Sequence, residues 1–202
     1  MKFILFVIVI IFSSTTFADE AEKLTNDNAG YIYESRTKLP ISLEKLAAQE
    51  VADYRNARDE FSKHEMLEKI KPELVEKLKA AKDISDYQLK VGVIIGQYDF
   101  EKNRFPSGFV DTTFIPFIHD YAVTFSNIKN IEYIPIPLDI AKDLSSSLQK
   151  SRDITAIIDC KILGTKIETL GYLQKKVLIT KVSKVYFYTD DGKLIAGMND
   201  IK

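Results

Sequence analysis

The chain has 202 residues, 46% hydrophobic and 28% charged, with a formal net charge of −1. These proportions are ordinary for a globular domain, and the near-neutral charge argues against nucleic acid or an anionic membrane surface as partner. A single cysteine, Cys160, excludes an intramolecular disulfide, and with His64 and His119 it falls short of the four or so convergent ligands of a zinc site.

The first eighteen residues read as a cleaved secretory signal. Met1-Lys2 supplies the charge, Phe3 to Phe12 the apolar run, and Thr16-Phe17-Ala18 the small residues a signal peptidase needs one and three places before the cut. Cleavage is expected before Asp19. An uncleaved membrane anchor is the competing reading, but a run of about ten apolar residues is short of the ~20 that span a bilayer. What remains after removal is about 184 residues, enough for one domain with a sizeable core and with no membrane span. The absence of a disulfide pair and of any Asn-x-Ser/Thr sequon, in a lysine-, isoleucine- and asparagine-rich chain, favours a bacterial envelope. The periplasm is the expected location, with release from the cell as the alternative.

Residues 19–40 are polar apart from the aromatic patch Tyr31-Ile32-Tyr33 and read as a loosely ordered leader followed by one short ordered segment ahead of Pro40. Ser42 is a reasonable N-cap for an amphipathic helix, with Leu43, Leu46, Ala47, Val51, Tyr54, Ala57 and Phe61 on one stripe and continuation through Met66, Leu67 and Ile70. Pro72 predicts a break near Lys71 and a second helix over 72–82, with Leu74, Val75 and Leu78 inward. After Asp83 the period changes to alternation. A strand is predicted from Tyr87, with Gly92 and Gly96 as bulge or close-approach positions. A turn-rich loop follows over 101–108, then strands near 109–117, 120–126 and 131–134. Leu138 to Lys150 returns to a helical pattern carried by Leu138, Ala141, Leu144 and Leu148, with Asp139 placed well for the helix dipole. Strands are predicted over 154–163, 165–169, 176–188 and 194–198, the last two joined by a hairpin at Asp191-Gly192. The order of elements predicts an α+β domain over 41–202: N-terminal helices packed on a largely antiparallel β-sheet, with one further helix inserted between strands.

No arrangement of residues amounts to a catalytic, cofactor or metal signature. His119 beside Asp120 could act as a base only if a third group oriented it, and neighbours on a strand point to opposite faces. His64 sits among charges on a helix. Asp190-Asp191-Gly192 lacks the twelve-residue ligand spacing of a calcium loop. Cys160, between Ile158 and Ile162, reads as a core residue. The least ordinary stretch runs from Tyr98 through Phe100, Arg104 and Phe105. Its aromatics either complete the core or form an exposed recognition loop, since aromatics and arginine concentrate at binding hot spots.

Several stretches together resemble a group of exported bacterial proteins that carry an uncharacterised domain. They are Tyr54-Arg55-Asn56-Ala57-Arg58-Asp59-Glu60-Phe61, Lys71-Pro72-Glu73-Leu74, the loop from Tyr98-Asp99-Phe100 to Phe105-Pro106, and Ala141 to Arg152. The resemblance covers roughly residues 40–198. It implies a periplasmic single domain and lends no catalytic residues. The functional expectation is a non-enzymatic domain that binds an envelope protein. One alternative is a periplasmic hydrolase assembled from dispersed carboxylates and His119. Another is an immunity-type inhibitor of a secreted toxin.

Overall fold

In the computed structural model, which describes residues 21–149 and 151–202, the chain opens with strand β1 (Glu22–Lys23) and helix α1 (Ala29–Glu34). The expected signal at 1–18 lies outside the described residues. The segment expected to be a loose leader is, from Glu22 to Glu34, part of the fold. Strand β1 pairs in parallel with β2 (Asp86–Ile94), and every residue of α1 is buried. A six-residue helix is unstable alone. This one persists because Tyr31, Ile32 and Tyr33 bury two aromatic rings and a branched aliphatic in one turn. Asn28 shapes the entry, accepting from the Thr25 N–H at 2.8 Å and donating to the Lys23 carbonyl at 2.7 Å. Arg36 secures the exit. Its guanidinium donates to the carbonyls of Ile32 (3.2 Å), Ala81 (2.6 Å), Lys82 (2.9 Å) and Ile84.

Helix α2 (Leu43–Glu50) starts where expected, with the Ser42 hydroxyl accepting from the Lys45 N–H at 3.2 Å. The long helix predicted beyond it is interrupted twice, giving α3 (Ala52–Asn56) and α4 (Glu60–Asp83). Val51 is extended at the first break, and Asp59 caps α4 by accepting from the Ser62 N–H at 2.8 Å. The break predicted at Lys71 does not occur, because Pro72 lies inside α4 on its exposed side. There the Glu68 carbonyl that loses its partner faces water. Leu74 and Leu78 point inward as expected, whereas Val75 and Phe61 face solvent.

Strands β7 (Asp153–Leu170) and β8 (Leu173–Tyr188) form a long hairpin through the middle of a seven-stranded sheet. Gly171, with φ 64°, takes the first central position of its two-residue turn. Strand β2 pairs with the first half of β7. The far edge of β8 is shared between β5 (Tyr121–Phe125), at Lys176–Thr180, and β9 (Leu194–Met198), at Val185–Tyr188. Strand β4 (Ile115–Pro116) adds outside β5. The predicted turn between β8 and β9 is present, with Gly192 at φ 81°.

The sheet is mixed rather than largely antiparallel, since β1 runs parallel to β2 and β5 parallel to β8. Register shifts at Asp159/Cys160 and Ile162/Gly164 bend the hairpin and curl the sheet. Alternation puts Ile154, Ala156, Ile158 and Cys160 of β7 into the core, together with Val182, Val185 and Phe187 of β8. Burial pushes the Cys160 thiol up, in keeping with a core residue. The predicted turn-rich stretch 101–108 contains strand β3 (Arg104–Pro106), paired with β6 (Tyr133–Pro135) in a separate two-stranded sheet. A 3-10 turn (Ile128–Ile131) and β6 replace the strand expected near 131–134. Helix α5 (Leu138–Ser147) lies between β6 and β7 in the sequence. Among the described residues, no helix is long and apolar enough to cross a membrane.

Candidate functional site

Two features of β2's exit place the Tyr98 segment. Gly96 lies so close to Pro106 that a Cβ there would come within 2.7 Å of the ring, and its N–H donates to the Pro106 carbonyl at 2.8 Å. The Arg152 guanidinium reaches the carbonyls of Ile95 (2.8 Å) and Gly96 from β7's entry. The chain then makes a tight hairpin between Asp99 and Arg104, with backbone bonds in both directions. The Asp99 carboxylate accepts from the N–H groups of Glu101 and Lys102, each at 3.1 Å, and Asn103 takes φ 49° to close the turn.

This hairpin separates the residues that the sequence grouped. Phe105 is fully buried, and Tyr98 packs on it with ring centroids 4.8 Å apart. Arg104 is held over the Tyr133 ring at 3.4 Å and faces Asp99 at 3.6 Å, so it braces β3 against β6. The Tyr98 hydroxyl donates to the Ile136 carbonyl at 2.8 Å. Partial burial, with the carboxylates of Asp139 and Asp99 near by, raises this phenol above its ordinary value. Phe100 projects outward, 75% exposed and edge-on to the half-buried Tyr98. Of the two sequence readings of this loop, the core one therefore holds for Phe105, while Phe100 and Tyr98 are left at the surface.

Opposite Phe100 stands α5, and between them runs a groove of about 800 Å³. Tyr98 and Phe100 form one wall. The other wall is the face of α5 bearing Leu138, Ala141, Lys142 and Ser145, continued by Gln149. These positions recur every three or four residues, so they line the groove along its length. Leu138 is 54% exposed although it belongs to the apolar pattern of the helix. Periodicity alone places Leu138 in the helical pattern of α5 and gives no reason to assign that helix to the site. The available signal was the pair Leu138 and Ile140, which cannot share one buried stripe.

His119 belongs elsewhere. It lies with Asn26, Asp27, Gln49, Glu50 and Tyr121 around a smaller cleft of about 230 Å³ beside α1. His119 and Asp120 both adopt positive φ (57° and 68°) in the turn before β5, so the strand geometry expected for the pair is absent. Two carboxylates in and beside the cleft have partners. Asp120 pairs with Lys175 at 2.8 Å, and Glu50 accepts from Tyr31 and Lys77. Behind Tyr121, which lines the cleft, the buried Glu34 accepts from the Tyr121 hydroxyl (3.0 Å) and from Lys176. Burial and the Glu34 charge push the Tyr121 phenol far above its ordinary value, which keeps it a donor. Among the described residues, no serine, threonine or cysteine lines the cleft, and His119 makes no hydrogen bond to a carboxylate. Among the described residues no cluster of His, Cys, Asp and Glu could hold a metal ion.

Comparison with family models, with curated proteins and with solved structures finds no match for this chain.

Proposed function

We propose that this is a non-enzymatic binding domain of the bacterial periplasm, which takes apolar side chains of an envelope polypeptide into the groove between α5 and Phe100. The observation that carries the reading is the groove itself. Its volume is that of a ligand site, and Phe100 and Leu138 stand exposed on opposite walls. A polypeptide suits it better than an acyl chain. Apolar surface dominates the lining, which suits apolar side chains, and Lys142, Ser145 and Gln149 stand among it, where a peptide backbone can use their hydrogen-bonding groups. An immunity-type inhibitor of a secreted toxin is one form of the same reading, with the toxin as the polypeptide.

Export rests on the signal-like residues 1–18 and on the resemblance to exported bacterial domains, with release from the cell as the alternative to the periplasm. Fractionation of cells making the full chain tests that part. Immobilised protein incubated with envelope extract tests the groove. Capture that persists at several salt concentrations and is lost in Phe100→Asp and in Leu138→Asp supports the proposal. Capture indifferent to both substitutions contradicts it.

The hydrolase alternative has one observation in its favour, the gathering of His119, Asp27 and Glu50 around one cleft. Its test is hydrolysis of chromogenic ester, amide and glycoside substrates. Turnover that disappears in His119→Ala would replace the binding proposal.

A further inference from the structure

We propose that the free edge of β7 pairs with the same edge of a second copy of this chain, antiparallel about Ile167. Strand β2 covers β7 only from Asp153 to Lys161, whereas β8 pairs with β7 as far as Leu170. The Ile162 N–H still reaches the Ser85 carbonyl at 2.9 Å. From Leu163 to Leu170, no strand among the described residues pairs with that edge.

Natural sheets protect such edges with prolines, bulges, charges or a covering element. This hairpin has no proline between Asp153 and Tyr188, its bulge at Ile162/Gly164 lies at the start of the open stretch, and the charges on that stretch, Lys166 and Glu168, are of opposite sign. Its outer part instead carries Leu163, Ile167, Tyr172 and Leu173, all about half exposed or more.

The turn determines which backbone groups face outward. A two-residue loop makes Leu170 and Leu173 the closing pair, which exchanges both ladder bonds. Alternation then turns Glu168 and Lys166 toward β8, and the N–H and C=O of Thr169, Ile167 and Thr165 outward. The Tyr33 hydroxyl donates to the Lys166 carbonyl at 3.3 Å, which leaves those three residues unengaged by it.

The side chains specify the partner. A two-fold axis through Ile167 sets Ile167 opposite its own copy and Thr165 opposite Thr169. It also sets Lys166 opposite Glu168 twice. Lys166 and Glu168 already lie 2.5 Å apart on one face of the strand. The dimer therefore turns one ion pair into a four-charge ladder with no like charges opposed. Moving the axis by two residues to Thr165 sets Lys166 against Gly164 and loses both pairings, so the charges also select the register.

Sedimentation of the purified protein as its concentration rises is the test. The expected result is a concentration-dependent dimer that Lys166→Glu and Glu168→Lys each weaken about tenfold, with affinity restored when the two are combined. Ile167→Cys tests the axis without depending on charge: mild oxidation should link two chains through residue 167, since Cys160 is buried. A monomer at every concentration overturns the proposal. So does a dimer indifferent to the single reversals, or one that forms no link through residue 167. None of these outcomes depends on the α5 groove.

Discussion

Replacing Arg36 with alanine tests whether residues 22–36 belong to the fold. Its guanidinium donates to the carbonyls of Ala81 and Lys82 in the last turn of α4, of Ile84 at its cap, and of Ile32 in α1. The helix leaves its last carbonyls without partners, and among the described residues this one side chain satisfies that end. Burial lowers the guanidinium from its ordinary value and Asp83 opposes that, but an arginine stays charged at neutral pH. A hydrogen bond to a charged group contributes about 1.5–3 kcal/mol, and a cation at a helix C-terminus about 0.3–1 kcal/mol. Water replaces part of this at a half-exposed site, so Arg36→Ala should cost about 2–3 kcal/mol rather than the sum. Lysine lacks the planar fork and should recover less than half. In urea, with a slope of about 2 kcal/mol per molar, the alanine midpoint should fall by about 1–1.5 M. A fall below about 0.3 M at unchanged slope, or full recovery by lysine, would refute the argument that Arg36 ties α1 to α4.

Lys176→Met leaves the buried Glu34 with only the Tyr121 hydrogen bond and should cost about 3 kcal/mol in the same assay, while adding Glu34→Leu should recover more than half. Equal stabilities for the single and double variants would remove the ion pair from the account. Gly108 has φ 86° and a Cβ there would sit 2.7 Å from the Ile94 carbonyl oxygen, so Gly108→Ala should lose about 2 kcal/mol or more. Gly92 has nothing within 4 Å of an added Cβ, and Gly92→Ala should be neutral or slightly stabilising by thermal melting. The hydrogen bond and charge of Lys175 hold the Asp120 carboxyl below its ordinary value. The folded state therefore gains from this pair above the unfolded carboxylate range and loses the gain as pH falls through the lowered value. Asp120→Asn should accordingly reduce the fall in melting temperature between about pH 6 and pH 3.

The α+β class was legible because the periods separate cleanly. Leu43, Leu46 and Ala47 repeat at helical spacing, as do Leu74 and Leu78, and Tyr87, Leu89 and Val91 alternate. The turn at Gly192 and the cap at Ser42 follow from local chemistry alone, whereas the turn at Gly171 shows only in the pairing of β7 with β8. What escaped the sequence depends on distant partners. The helix over Tyr31-Ile32-Tyr33 exists only because the sheet and α4 bury it. Pro72 is tolerated only because its side of α4 faces water. The parallel pairing of β5 with β8 reflects chain path, which no local period encodes.

The site was half legible for the same reason. Aromatic clustering pointed to the Tyr98–Phe105 stretch, and Tyr98 and Phe100 do line the groove. Alternation and bracing by Tyr133 took Phe105 and Arg104 out of it. The facing wall is supplied by α5, more than thirty residues later in the chain. His119 was singled out for its chemistry, and that chemistry needs neighbours which the fold brings only to a different cleft.

A photo-cross-linking amino acid at Ser145 reads out whether a polypeptide occupies the α5 groove. The side chain lines the groove and is only partly exposed, so an adduct reports an occupant lying along α5. Irradiation of living cells should give a discrete protein adduct in the envelope fraction that disappears when Phe100→Asp is added. No adduct, or one that persists with Phe100→Asp, would contradict a polypeptide in that groove.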